Sequence, residues 1–297
     1  MTRSAAFARR ARAQPASRAL PSPLRLRSSL GRIAELVSSE LGIMLPDSKL
    51  PILHGRVQRR MHARGVTSLE AYAALLFAAG GEPERLQLFD AVTTNKTDFF
   101  REPSHFSVLR EQVLPELQPR AELRTPECKL WCAGCSTGQE VYTLAMVLSE
   151  HARENPPLDF SILGSDVCSK VLEQAQAATY AEELVEPVPL PLRQRYLLRS
   201  KDRKQRLVRV GRALREHVRF ARLNFMDERY PLPRDFDVVF FRNVLIYFDR
   251  PTQQRVLSRI CQHLRPNGYL FVGHSESLNG LTLPLLARGD AMFQKLP

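Results

Sequence analysis

From residue 128 onward, short apolar runs alternate with stretches of helical periodicity, and few folds tolerate that alternation. Strands buried on both faces read as unbroken apolar runs, and a parallel pair needs a crossover, usually helical, between its members. Strands are expected at 129–133, 160–164, 217–222, 236–241 and 269–273, of which 236–241 is the unbroken apolar run of a central strand, and 291–296 suits a last edge strand. Val141, Leu144, Ala145 and Leu148 mark a helix after the first strand. Val256, Ile260 and Leu264 mark another, closed by Pro266-Asn267-Gly268. The expected class is α/β, with a largely parallel, Rossmann-like sheet.

The rest of the chain has other textures. Residues 33–106 are helical in pattern and contain no convincing strand. A linker is expected over 107–127, where Pro115, Pro119 and Pro126 fall among mixed charges. The main domain then covers 128–297, with an inserted β-subdomain at about 193–217, because that stretch is too long for an ordinary connection. Residues 1–32 are rich in Arg, Ala, Ser and Pro and contain no acid, which suits a disordered tail and also resembles a transit peptide.

Charge narrows the function. The net charge is +12, yet residues 1–34 hold eight arginines and residues 193–219 carry a net +9, leaving −5 for everything else. The body is therefore mildly acidic with two basic segments, and a uniform nucleic-acid-binding surface is not what it offers. Arg56, Arg59, Arg60 and Arg64 fall at i, i+3, i+4 and i+8 on one helix face, either a solvated face or a docking surface for an acidic partner. Five cysteines are too few and odd in number for a disulfide-stapled secreted scaffold. No run approaches the roughly 20 apolar residues of a membrane span, so a cytoplasmic protein is expected.

Open α/β sheets bind ligands beyond the carboxyl ends of their strands. Here those ends carry Gly134 to Glu140, Asp166, Asn224 and Arg242-Asn243. Glycines admit a closely approaching ligand, a helix start offers N–H groups to an anion, and an acid after the second strand suits a ribose diol. The loop is G-x-x-x-G, which disfavours a dinucleotide, and G-K-[ST] is missing, which excludes a P-loop.

Longer motifs sharpen this. Thr93-Thr94-Asn95-Lys96-Thr97-Asp98-Phe99-Phe100-Arg101-Glu102 resembles the signature of the chemotaxis-receptor methyltransferases, the CheR family. So do Ser136-Thr137-Gly138-Gln139-Glu140, Gly164-Ser165-Asp166, Arg242 through Phe248, and Gly273-His274-Ser275-Glu276, in the family's order over about 33–295. The resemblance implies a helical N-terminal domain, a class I S-adenosylmethionine methyltransferase sheet and a small inserted β-subdomain. It implies methylation of chemoreceptor glutamates, on the receptors' cytoplasmic helical domain, by a monomer that visits membrane receptor arrays. By matching positions, the S-adenosylmethionine contacts would be Asn95, Thr97, Arg101, Glu140, Asp166, Asn224, Phe225, Asn243 and Val244. Arg101 and Tyr247 would orient the accepting carboxylate. Gln139 departs from the family, which often carries an acid there.

Other classes were weighed against the residues. Cys128, Cys132 and Cys135 spell a C-x3-C-x2-C pattern, but a strand would separate the first two by roughly 13 Å, too far for one cluster. The seven histidines form no metal motif, His105 and His274 suit local hydrogen bonding, and no metal is expected. An RNA or DNA methyltransferase would need aromatics interleaved with the basic run, which are missing. A non-catalytic receptor-binding module is the remaining alternative.

Overall fold

The computed structural model describes residues 28–117, 127–155, 158–289 and 291–297. Four helices open the described chain: α1 (Ser29–Leu41), α2 (Leu50–Arg64), α3 (Leu69–Phe77) and α4 (Glu82–Val92). Ser28 caps α1 by accepting the Gly31 N–H at 3.0 Å, and Ser68 caps α3 through Ala71 at 3.1 Å. Residues 29–32, expected in the tail, are thus the first turn of a capped helix; residues 1–27 lie outside the described residues. Ile33, Val37 and Leu41 on α1, Leu53 and Val57 on α2, and Tyr72 and Leu76 on α3 close a small core of their own.

Inside that core Glu84 is 6% exposed and accepts three hydrogen bonds. Arg60 grips it with two hydrogen bonds of 3.0 and 2.9 Å, and the fully buried Tyr72 hydroxyl donates to it at 2.8 Å. The next helices are α5 (Ser104–Val108), a π turn (Leu109–Val113) and α6 (Leu114–Leu117). Leu109, Val113 and Leu117, four residues apart, are buried in the main core. The stretch 107–117, expected as linker, is therefore packed helix.

The large sheet contains β1 (Glu127–Ala133), β2 (Asp159–Asp166), β6 (Val218–Arg222), β7 (Phe236–Phe240), β8 (Leu264–Phe271), β9 (Leu285–Gly289) and β10 (Met292–Lys295). Their spatial order is β6-β2-β1-β7-β8-β10-β9. Neighbours from β6 through β8 are parallel, and β10 runs antiparallel to both β8 and β9. The helices α7 (Gln139–Glu154), α8 (Ser169–Ala177) and, after β7, a last long helix over Arg250–His263 supply the crossovers. This is the Rossmann-like order expected of a class I methyltransferase sheet. Because the chain moves outward from β1 to β6 and returns at β7, the order reverses between β1 and β7, where a crevice must open.

Three details differ from the sequence expectations. The strand at 292–295 is interior, and the edge is β9, whose largely exposed residues show no alternation to betray it. The helix before β8 ends at His263, and Pro266-Asn267-Gly268 lies within β8, beside a register shift against β7. The second sheet contains β3 (Thr179–Ala181), β5 (Leu207–Val210) and β4 (Leu197–Arg199) in that order, so it starts well before residue 193. Its first strand is three residues long and too short to read as a run. Among the described residues no helix is long and apolar enough to cross a membrane.

Removing Glu84 would strand a buried hydroxyl and a mostly buried guanidinium. Glu84→Ala should lower stability by about 2–3 kcal/mol, read as a shift of the urea midpoint in chemical denaturation. An unshifted midpoint would show that this ion pair is replaceable by water.

Candidate active site

The crevice between β1 and β7 is a cavity of about 450 Å³, within the usual size of small-molecule sites. Its floor is made by the strand tips. Gly134 leaves β1 with φ +78°, and its N–H and that of Cys135 both bond the Ser165 carbonyl, at 2.8 and 2.9 Å. The loop then delivers the Ser136 N–H to Asp166 Oδ2 at 2.9 Å, while Cys168 N–H donates to Oδ1 at 3.0 Å. Burial pushes the Asp166 carboxyl up, and these N–H bonds work against it. Each oxygen still has a lone pair for a ligand hydroxyl. α7 begins at Gln139 with no side-chain cap, and Glu140 in its first turn lines the cavity.

The segment 93–102 is laid across this floor. Ser136 Oγ donates to the Asn95 carbonyl at 2.8 Å, and Phe100 N–H donates to Thr143 Oγ1 on α7 at 3.1 Å. Asn95, Thr97 and Arg101 thereby line the cavity, and Arg101 donates to the Lys96 carbonyl at 3.2 Å. Beneath them lies Arg242, whose side chain has no exposure. It sits 3.2 Å from Glu102 and 3.4 Å from Glu140, over the rings of Phe106 and Phe240. Burial raises the Glu102 carboxyl, but the Arg242 guanidinium, the Asn243 amide and the His274 N–H outweigh it and hold the group below its ordinary range. Cys132 Sγ donates to Glu140 at 3.3 Å. Burial drives the thiols of Cys128, Cys132 and Cys135 well up.

The helical domain forms the facing wall with Leu41, Ile43, Leu53 and Arg56. Two hydrogen bonds to backbone carbonyls fasten it: Met44 N–H donates to that of Tyr247 at 2.8 Å, and the Asn224 side-chain Nδ2 donates to that of Glu40 at 2.7 Å. Tyr247 ends a short 3-10 turn, Leu245–Tyr247, and lines the cavity with Asn224, Phe225, Asn243 and Val244. Every residue expected at the cofactor and carboxylate sites, Glu140 and Asp166 included, thus lines one cavity.

The arginine row does not stay together. Arg56 lines the cavity and donates to the carbonyls of Val92 and Thr93. Burial, with Arg59 beside it, holds its guanidinium below the ordinary value. Arg60 is committed to Glu84, because α4 packs on that side of α2. Arg59 and Arg64 remain exposed, Arg64 reaching Glu84 at 3.5 Å. The fold also makes a histidine cluster that sequence spacing hid: ligand atoms of Glu102, His105 and His274 lie within 4.8 Å of one another. Glu102 Oε2 already faces the Arg242 cation, which opposes a divalent ion there.

Comparison with known proteins decides the lineage. Residues 28–93 match the CheR methyltransferase all-alpha domain, and residues 95–286 match the CheR methyltransferase SAM binding domain. Chemotaxis protein methyltransferases of Escherichia coli (37% identical, covering 88% of this chain and 88% of that one) and Borreliella burgdorferi (33%, 86% and 89%) are similar over nearly their whole length. So is chemotaxis protein methyltransferase 2 of Pseudomonas aeruginosa (36%, 84% and 87%). The chain belongs to the CheR methyltransferase family. It is an S-adenosylmethionine-dependent methyltransferase of the chemotaxis type, and the chemistry of the cavity lining, which brings together the acid Asp166, the cation Arg101 and the glycine Gly134, is compatible with that molecule.

Sequence reasoning marked Arg242 at a strand end, and Glu102 and Glu276 within motifs, but gave none of the three a role in shaping this CheR cavity. An arginine ending an apolar strand was the available signal for the first. At Gly134 an added Cβ would meet Val244 Cγ2 at 2.6 Å, on a backbone that resists side chains. Gly134→Ala should weaken binding of S-adenosylhomocysteine by about tenfold or more in calorimetry, with the far-UV spectrum retained. Unchanged affinity would show that the loop yields without closing the cavity.

Proposed function

We propose that this CheR protein transfers the methyl group of S-adenosylmethionine to glutamate side chains of chemoreceptors, and that the cavity residues divide that task. One observation supports the reading: a single cavity is lined by Asp166, Arg101 and the Asn243–Tyr247 turn together with Ile52 and Ile246, 59% and 49% exposed. Asp166 takes the ribose hydroxyls, Arg101 the methionine carboxylate, and Asn95, Thr97, Glu140, Asn224, Phe225, Asn243 and Val244 complete the contacts.

When bound, S-adenosylmethionine supplies an electrophilic methyl on a sulfonium; a C–O bond forms as the S–C bond breaks, leaving an ester and a thioether with no proton moved. A receptor glutamate is ionised at neutral pH, with a pKa of about 4.3, so no general base is required. The chain's work is orientation. Arg101 steers the anionic side chain, and the Tyr247 hydroxyl donates one hydrogen bond to it. A tight cationic clamp would blunt the nucleophile, so a neutral donor at the turn suits the chemistry. The exposed Arg59 and Arg64, with Arg56 at the cavity wall, favour an acidic helical segment, as on the receptors' cytoplasmic domain. The enzyme acts as a monomer in the cytoplasm and visits receptor arrays at the membrane without inserting.

Nucleic acid is disfavoured by the inserted subdomain itself. Arg195, Arg199, Arg206 and Arg212 pair with Glu150, Glu182, Glu183 and Glu216, which lowers the charge they present to phosphates. Incubation with methyl-labelled donor and either receptor fragments or RNA tests the assignment. Base-labile label on receptor is expected; label on RNA, or donor binding with no transfer, would overturn it.

Tyr247→Phe should cut kcat by about tenfold while S-adenosylhomocysteine affinity changes less than about threefold; intact turnover would remove Tyr247 from the reaction. Arg59→Glu should raise the apparent KM for receptor several-fold, and wild-type transfer should slow with salt. Rates independent of salt would refute electrostatic docking.

A further inference from the structure

Asn243 has φ +61°, a left-handed conformation that disfavours non-glycine residues by about 1 kcal/mol. The same turn must bring Val244 against Gly134 and Tyr247 to the cavity. Its shape is held from below by Glu276, which is 9% exposed and lies outside the cavity lining. Glu276 Oε2 accepts the N–H groups of Gly273 at 2.6 Å and Asn243 at 2.8 Å, and Oε1 accepts that of Leu245 at 2.7 Å. Burial raises this carboxyl while the converging N–H groups pull it back.

The geometry leaves no slack. A Cβ at Gly273 would meet Asn243 Nδ2 at 2.5 Å and Glu276 Oε2 at 3.0 Å, so a glycine lets the two segments close. From above, Glu102 Oε1 accepts from Asn243 Nδ2 at 3.2 Å. A carboxylate only accepts when ionised, so this contact assigns which atom of the Asn243 amide faces Glu102. Asn243 is held at its backbone by one acid and at its side chain by another.

We propose that Glu276 is a positioning residue for methyl transfer: through three backbone N–H groups it sets the left-handed Asn243 and the turn to Tyr247, so that both side chains meet the donor cavity. This rests on the methyl-transfer reading above. A carboxylate is needed because donors converge on both of its oxygens. Glutamine has the same shape but must turn its NH2 toward either Leu245 or the Gly273–Asn243 pair, donor against donor.

Glu276→Gln tests this. Hydrogen exchange followed by mass spectrometry should show faster exchange at 243–247 while the interior of β7 stays protected. On receptor fragments kcat should fall about tenfold or more, with receptor KM within about threefold of wild type. In a Tyr247→Phe background the same substitution should cost less than about threefold further, because both act through one turn. Losses that multiply in the double variant, or unchanged exchange at 243–247, would overturn the proposal. Should the glutamine variant not fold, Glu276→Asp keeps the charge one methylene short, and the same exchange and kcat criteria decide. Wild-type protein that binds S-adenosylhomocysteine but methylates no receptor would strike the function instead, and the exchange result would still decide the clamp.

Discussion

A guanidinium with no solvent exposure sits at the tip of the central strand, and the architecture of the cavity turns on it. Arg242 has Glu102 on one side, Glu140 on the other and two aromatic faces against it. Its Nη2 also donates to the Arg101 carbonyl at 2.5 Å. Each partner belongs to a different part of the site: Glu102 and Arg101 to the segment laid over the cavity, Glu140 to the first turn of α7. One buried cation therefore holds the lid segment, the first helix and the central strand in register. Breaking such a pair from one side typically costs about 3–5 kcal/mol, because a charge is left without a partner. A buried ion pair is a poor way to add stability and a good way to exclude alternative arrangements, which is what a cavity lined by several separate segments requires.

The same logic explains why two domains make one site. The helical domain has its own core and its own internal ion pair at Glu84. Yet Ile43 pairs with Phe248, Met44 bonds the Tyr247 carbonyl and Glu40 receives Asn224. The first two are main-chain contacts, independent of side-chain identity, and the third needs the Asn224 amide; all leave little freedom in distance. They set the wall carrying Arg56 opposite the floor carrying Asp166. Since the turn at Asn243 is gripped from beneath by Glu276 and from the side by the helical domain, the end of the sheet that faces the chemistry is more tightly determined than a loop region usually is.

Much of this was legible beforehand because it obeys local rules. An unbroken apolar run gave β7, a helical pattern without strands gave the helical domain, and the glycines and polar residues after the strands marked the cavity. What escaped notice had no local signature. β9 is exposed and unpatterned, and β3 is three residues long; both exist only because neighbouring strands supply hydrogen-bond partners. Spacing placed Arg60 on one face with Arg56 and Arg64, but it could not say that α4 would present Glu84 to that face. Histidine counting found no cluster, since Glu102 and His274 are far apart in the chain and meet only where β8 ends beside α5.

The amino-acid order alone determined the α/β class, the family and the identities of the residues that would surround a ligand, because periodicity and contiguous motifs are properties of neighbours in the chain. Tertiary structure decided which charges are partners and which are free to meet a substrate, since the energy of a buried charge depends on what lies within a few ångströms of it, at any separation along the chain. Arg242, Glu102 and Glu276 stand in motifs the sequence shows, but only burial, the first two against each other and the third against backbone N–H groups, makes them the frame of the site.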